Sequence, residues 1–319
     1  MDWHEIGERL ERRFPDLVAA ASPRAYRTEE GYLGSRAVAY RLVALRAALS
    51  SAESRASNDL SVAISGASSG EIIKSGVQPW WVGEELAEAL MKTSPPAGIT
   101  LRDVPLPYPA FLLLLPRGSL ISPSGAPVQM LLVSRMSHAD ALPYGLRTEG
   151  ELKEHGALAI SCFEETGSMN MHSHYSWRSL NKSLGEWEAS TQEPLTIHGD
   201  HAVALPDDEK FSGDFVRLVL NACFIISEHA EMVEGPKVLK RIKARTGSGK
   251  IDLWSARWVG RSFRRPLPIS GTEMGSHAPP RLHWRRGHWR DQRHGEGLHL
   301  RKRLWIQPTI VNAEAPTDT

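Results

Sequence analysis

Hydrophobic residues in the first ninety positions recur at the three- and four-residue spacing of amphipathic helices. The first stripe lies within 3–14, and Pro15 ends it because proline cannot continue a helix. Further stripes lie within 38–49 and 81–93. We therefore predict a helical N-terminal region over residues 1–95.

After residue 96 the pattern changes to short apolar or alternating runs, which are typical of strands. AFLLLL at 110–115 is apolar throughout, as in a strand buried on both faces. PVQMLLVS at 127–134 and ALAISCF at 157–163 predict two more strands, and SMNMHSHYSW at 168–177 alternates cleanly. Turn-rich segments separate these runs, which favours antiparallel neighbours joined by loops.

A broad apolar stripe over 214–233 predicts the strongest helix, and SGD before it is typical of a helix start. The acidic run at 206–214 is interpreted as a solvated loop, and KVLKRIKAR at 237–245 as a short basic helix. Strand patterns return in DLWSARWVG, RLHWRRGHWR and RLWIQPTIV.

These patterns predict an α+β fold, with a helical N-terminal section followed by a mostly antiparallel sheet flanked by helices. We divide the chain into the helical region 1–95, a sheet domain 96–313 with basic C-terminal strands, and a flexible tail 314–319.

The sequence GASSG at 66–70 has the spacing of a nucleophile elbow, with Ser68 at its centre and LSVAI before it as a strand. The short helical stretch after it and the helical residues before it do not suit a hydrolase sheet. We interpret GASSG as an ordinary turn. His172 and His174 share one face of the alternating strand and are interpreted as half-exposed polar residues.

Charge is unevenly distributed along the chain. The formal net charge is +1, but residues 236–303 contain 18 Lys or Arg and 4 Asp or Glu, a local balance of +14, so the remainder carries −13. A concentrated positive field attracts phosphates or acidic protein surfaces. The alternative is that the two parts of the fold neutralise each other.

The stretch RLHWRRGHWRDQRHGEG at 281–297 is the richest in candidate chemistry. On a regular strand His283 and His288 point to opposite faces, so one metal ion cannot bind both unless Gly287 forms a bulge. No zinc-binding cysteines join the histidines, and we expect neither a metal nor a cofactor. Arginine grips phosphates, and Trp, His and Arg planes stack on unpaired bases. The predicted binding residues are Trp284, Arg285, Arg286, His288, Trp289, Arg290, Arg301, Arg303 and Trp305.

A competing hypothesis is a metal-independent ribonuclease. His283 and His288 would serve as general acid and base, and Arg285 or Arg286 would stabilise the charged intermediate. We expect a binding protein rather than an enzyme, because nothing else in the sequence indicates catalysis.

Composition is that of a globular protein, with 41% hydrophobic and 24% charged residues. Two cysteines give no disulfide framework, which favours a reducing cytoplasm. The acidic N-terminus lacks the features of a signal peptide, and the longest apolar run is too short to span a bilayer. We expect a cytoplasmic protein without a membrane partner.

The C-terminal arrangement over 279–313 resembles a known family. A strand with H-x-R-R-G-H-W, a Gly-bearing turn and a basic strand ending W-I-x-P-T is similar to the plasmid- and phage-borne type V-A anti-CRISPR proteins that block biogenesis of the effector nuclease. The quoted motif covers about 35 residues, and the rest of the chain is similar only in layout.

The resemblance implies a mobile-element binding protein that recognises the nascent N-terminal peptide of an effector nuclease, after which the messenger RNA is lost. The implied partners are that nascent polypeptide and, near the basic strand, messenger RNA or the ribosome. The resemblance assigns no peptide-binding residues and does not fix the target of this chain.

Overall fold

The computed structural model describes residues 32, 38, 41–42, 60–75, 79–137, 139, 150–164, 173–190, 206–235, 241–243, 250–252, 257–265 and 283–311. The strands are β1 (Trp80–Val82), β2 (Ala110–Leu114), β3 (Val128–Met136), β4 (Ala157–Glu164), β5 (Ser173–Ser179), β6 (Val233–Glu234), β7 (Arg241–Lys243), β8 (Lys250–Asp252), β9 (Arg257–Val259), β10 (His283–Arg285), β11 (His288–His294), β12 (Leu300–Ile306) and β13 (Thr309–Val311). The helices are α1 (Leu60–Ser75), α2 (Glu84–Met91), α3 (Gly150–His155), α4 (Leu184–Ser190) and α5 (Pro206–Glu228).

In the described part of the chain, seven strands form one mixed sheet in the order β5-β4-β3-β2-β1-β9-β6. Strand β1 runs parallel to both β2 and β9, and the other four pairings are antiparallel. Three two-stranded sheets among the described residues accompany it, formed by β10 with β13, β11 with β12, and β7 with β8. The predicted α+β class with a mostly antiparallel sheet is confirmed.

Strands β2 and β4 are buried along their whole length, and β3 is buried except at Arg135. Helix α1 packs against these three strands, and α5 packs against β4 and β9. Continuous apolar sequences suit β2 and β4 because both faces of these strands are buried.

The predicted helix over 81–93 is wrong at its start, since Trp80–Val82 is strand β1 and the helix begins at Glu84. Aromatic and β-branched side chains suit a buried strand between two neighbours. Gly83 makes the turn from strand to helix, and a Cβ there would lie 2.8 Å from the carbonyl carbon of Gly260. The sheet therefore includes a strand from the predicted helical region 1–95.

Two predictions about the segments around α5 are also wrong. The acidic run at 206–214 is the first part of α5, not a loop. Pro206 occupies the first helical position, which needs no N–H donor, and the following carboxylates favour a helix N-terminus. Within the predicted basic helix, residues 241–243 form β7, because pairing of Ile242 with Ile251 on β8 overrides local helix propensity.

The predicted strand LSVAI before GASSG is helical, since α1 runs without a break through Ser68. Small side chains let this helix approach the sheet closely. Ser68 donates a hydrogen bond to Ser134 on β3 at 2.7 Å, and the hydroxyls of Ser65 and Ser161 lie 2.8 Å apart. The interpretation of GASSG as a turn is therefore wrong, because the segment is helical, and Ser68 is a buried packing residue.

Strand β5 begins within the predicted alternating strand. His174 lies opposite Cys162 in the register of β4 and β5, and His172 lies outside the described residues. Both cysteines are buried and free. Burial raises the pKa of Cys223 to about 12 and that of Cys162 well above its usual range. Among the helices that the structure describes, none is long and apolar enough to cross a membrane.

Candidate binding hairpin

Strands β11 and β12 form an antiparallel hairpin whose side chains project alternately from its two faces. Residues directly opposite each other share a face, so Trp289 with Trp305 and Asp291 with Arg303 lie on one side. The other side contains Arg290 opposite Leu304, together with every second residue pair along the hairpin from there. We call these the inner and outer faces, because the tryptophan side contacts the body of the protein.

The inner face is anchored by two indole rings. Trp305 is 9% exposed and lies 5.5 Å from the ring of Phe263. Trp289 lies 6.4 Å from Trp305 and 5.4 Å from Phe224 on α5. Both tryptophans join the main hydrophobic core. The base of the hairpin is therefore part of the folded body.

Polar groups beneath the indoles fix how the hairpin sits. Asn221 on α5 is fully buried, and its side-chain oxygen accepts a hydrogen bond from Trp289 Nε1 at 2.7 Å. Its amide nitrogen donates to the carbonyls of Leu90 and Thr93, at 3.0 and 2.8 Å. Trp305 Nε1 donates to Thr93 Oγ1 at 3.1 Å. Asn221 and Thr93 thus join α5, the end of α2 and the hairpin in one buried network.

Gly287 connects β10 to β11 where the chain passes closest to this network. Its N–H donates to the carbonyl of Lys92, and its carbonyl accepts from the N–H of Ser94. A Cβ at Gly287 would lie 2.8 Å from Pro308 Cδ and closer still to Thr93 Oγ1. Gly287, which the sequence marked only as a possible bulge, is therefore a close backbone approach that separates β10 and β11 into different two-stranded sheets.

We expect Gly287→Ala to destabilise the protein by about 1–3 kcal/mol, because backbone and buried side chains must move to admit the methyl group. Thermal melting measures this effect. The matched control is Gly98→Ala, where an added Cβ meets nothing within 4 Å. Equal melting temperatures for the two variants would contradict the close approach at Gly287.

Arg303 is also held on the inner face. Its guanidinium donates to Glu228 at 2.5 Å and lies over the Phe224 ring, 4.8 Å from the centroid. Asp291 is 3.9 Å away on the opposite strand. Burial raises the pKa of Glu228, and the charge of Arg303 opposes that rise. Arg303 therefore anchors the hairpin to the end of α5.

Other basic residues pair with acidic residues from earlier in the chain. The pairs are Arg264 with Glu85 at 3.6 Å, Arg265 with Glu88 at 2.8 Å, and Arg261 with Glu234 at 3.9 Å. Burial acts to raise the pKa of Glu88, but Lys92 and Arg265 together hold it below its usual range. Part of the charge separation is thus neutralised within the fold.

The remaining cations of the hairpin and of neighbouring β10 are exposed. Arg285, Arg290, Arg293 and Arg301 are open to solvent, as is Lys302. Within the described residues, none of these four arginines forms an ion pair. Arg290 contacts Gln292 at 3.4 Å, and exposed Arg286 contacts Ser94 at 3.4 Å. The hairpin therefore presents a positive surface above an anchored base.

Comparison with protein families identifies the family of the chain. The model of the AcrVA2-like family, described as the anti-CRISPR type V subtype A2 family, matches residues 80–313. The chain belongs to this family. The match begins at β1 and ends after β13, so it includes the central sheet and the hairpin.

The AcrVA2-like match confirms the type V-A anti-CRISPR family that the sequence predicted, although it does not single out the C-terminal motif. Comparison with solved structures aligns the chain with the crystal structure of AcrVA2 over 96% of this chain and 97% of that chain, at 11% identity and a TM-score of 0.39. Comparison with curated proteins found no match. The family match shows that the protein is an anti-defence protein whose partner is connected with a CRISPR effector.

The structure separates the predicted binding residues of this AcrVA2-like protein into two groups. Trp289, Arg303 and Trp305 make internal contacts, whereas Arg285, Arg286, His288, Arg290 and Arg301 are exposed. Trp284 lies on β10, opposite Ile310, and its side chain is outside the described part. The binding role of all nine residues stays a prediction.

The alternative acid–base pair is divided between two small sheets. His283 lies on β10 opposite Val311, and His288 lies on β11 opposite Ile306. His288 and Arg285 are exposed, and the side chain of His283 is outside the described residues. In the described part of the chain, no group of three or more His, Cys, Asp or Glu side chains could hold a metal ion.

Sequence reasoning missed Asn221 and Thr93, the two residues that seat the hairpin. The signal for Asn221 was its place in the apolar stripe of α5, where a buried amide must find hydrogen-bond partners. Its partners lie about 70 and 130 positions away along the chain, so no local pattern identifies them.

Proposed function

We propose that this protein acts in the cytoplasm by recognising the nascent N-terminal peptide of a CRISPR effector nuclease, and that loss of the messenger RNA follows. The family match over residues 80–313 carries the proposal, because it establishes the anti-CRISPR role. The finer steps come from the resemblance to type V-A anti-CRISPR proteins.

Two features of the fold support recognition during translation. A nascent peptide is extended, and an extended peptide binds readily to the edge of a sheet. Among the described residues, β5 and β6 are the outer strands of the central sheet. The exposed arginines of the hairpin suit a neighbouring RNA, because guanidinium groups bind phosphates in a fork geometry. These features support binding without requiring a catalytic group.

The proposal can be tested with two matched effector transcripts. One is recoded synonymously over its first codons, so that the RNA changes and the peptide does not. The other has a compensated pair of frameshifts, so that nearly all of the RNA is kept and the peptide changes. We expect the messenger to fall in the presence of this protein only when the peptide is kept, with the protein sedimenting with the translating ribosomes.

Messenger loss that follows the RNA sequence instead of the peptide would overturn the proposal. Absence of the protein from translating ribosomes, together with no binding to a synthetic effector N-terminal peptide, would also overturn it. Purified protein that cleaves labelled RNA in chelator, with cleavage abolished by His288→Ala, would favour the ribonuclease hypothesis.

A further inference from the structure

Cations dominate the distal part of the hairpin, beyond the anchored tryptophans. We define the hairpin cations as Arg290, Arg293, Arg301 and Lys302, all of them exposed. Residues 288–306 contain five Lys or Arg and two Asp or Glu, a formal balance of +3. So dense a positive charge on one slim hairpin creates a strong local field for a polyanion.

The hairpin cations project from both faces of the hairpin. Arg293 and Arg301 are opposite each other on the inner face, beyond the last anchored pair, Asp291 and Arg303. Arg290 and Lys302 belong to the outer face. Seven-residue strand β11 extends over about 23 Å at the usual rise per residue. Charges spread along and around such a ribbon can contact several successive phosphates of one nucleic-acid strand.

The two tryptophans of the hairpin are not available for reading bases. Trp289 and Trp305 face the body, and their N–H groups are used by Asn221 and Thr93. Stacking on unpaired bases needs an exposed aromatic face. The predicted stacking role of these two tryptophans therefore does not fit their positions, whereas phosphate contact by the arginines does.

We propose that the hairpin cations bind the phosphate backbone of RNA without distinguishing its sequence. An acidic protein surface is the less suitable partner, because protein interfaces depend on buried aromatic anchors and the hairpin turns its tryptophans inward. This inference deepens the proposed function, since it assigns the RNA side of translation-coupled recognition to one surface. Its test uses purified protein and does not require a ribosome.

The test compares two triple variants that remove the same charge. The hairpin variant is Arg290→Gln, Arg293→Gln and Arg301→Gln. The control variant is Arg102→Gln, Lys153→Gln and Lys210→Gln, whose residues are also exposed but lie in other elements. Fluorescence anisotropy with labelled 20-nucleotide RNAs of two different sequences, across a series of KCl concentrations, gives the affinity and its salt dependence.

We expect the full-length wild-type protein to bind both RNAs with similar affinity. The hairpin variant should bind roughly 10- to 100-fold more weakly at 0.1 M salt, and the slope of log affinity against log salt should fall by about 2, because three phosphate contacts each contribute about 0.7. The control variant should bind like wild type. Both variants should melt like wild type, since all of the substituted side chains are exposed.

An equal loss in both variants would overturn the inference, because net charge alone would then explain binding. Lack of wild-type binding to either RNA at 50 mM KCl would also overturn it. So would equally tight competition by polyglutamate of the same charge, which would indicate an acidic protein partner. If the wild-type protein does not bind RNA but messenger loss still depends on the peptide, only this inference is wrong. If messenger loss does not depend on the peptide but the hairpin variant binds RNA more weakly, only the proposed function is wrong.

Discussion

Replacing Trp305 by alanine should cause the largest loss of stability of any single truncation in the hairpin. The side chain is 9% exposed, packs on Phe263 and Trp289, and donates its N–H to Thr93. Removing a buried tryptophan costs about 3–5 kcal/mol, since it loses apolar burial and leaves a cavity. We expect a lower denaturation midpoint in urea and a melting temperature reduced by roughly 10 °C.

Two variants separate packing from other effects of Trp305→Ala. Trp305→Phe keeps most of the apolar contact but leaves the Thr93 hydroxyl without its donor, so we expect a smaller loss of about 1–2 kcal/mol. Leu300→Ala changes a side chain on the same strand that is 58% exposed, so its effect should stay within about 0.5 kcal/mol. A loss for Leu300→Ala as large as that for Trp305→Ala would contradict the anchoring role.

Local patterns predicted the parts of this fold that local forces determine. AFLLLL, PVQMLLVS and ALAISCF correspond to β2, β3 and β4, as predicted. A strand that is buried on both faces is apolar regardless of which strands pair with it, so its own sequence identifies it. The start of α5 was missed although Pro206 and the carboxylates after it are local signals of a helix N-terminus. Strand β1 was missed because its parallel neighbours β2 and β9 decide it. Boundaries depend on such partners more than the element types do.

The candidate site was predictable in composition but not in orientation. Sequence reasoning identified the region of Trp289, Arg290 and Arg301 from its charge and aromatic content. Strand alternation places the adjacent residues Trp289 and Arg290 on opposite sides, but it does not indicate which side faces the body. The long-range contacts of Asn221 and Glu228 determine that orientation. As a result, the two indoles hold the hairpin against the body, and the guanidinium groups of Arg290 and Arg301 are exposed to solvent.

The position of the hairpin depends on Asn221, and replacing Asn221 by leucine should release the hairpin from the body. Asn221→Leu leaves Trp289 Nε1 and the carbonyls of Leu90 and Thr93 without their buried partner, and each such group costs about 1–3 kcal/mol. Added apolar burial offsets part of this, so we expect a net loss of about 3 kcal/mol. Hydrogen exchange should accelerate over 288–306, while β2 to β4 stay protected.

The control for Asn221→Leu is Ser227→Ala, because the hydrogen bond from Ser227 to Pro105 is exposed. Thr93 is bonded to both Asn221 and Trp305, so the loss in the double variant Asn221→Leu, Trp305→Ala should be smaller than the sum of the single losses. Full additivity, or unchanged exchange over 288–306, would show that Asn221 does not seat the hairpin.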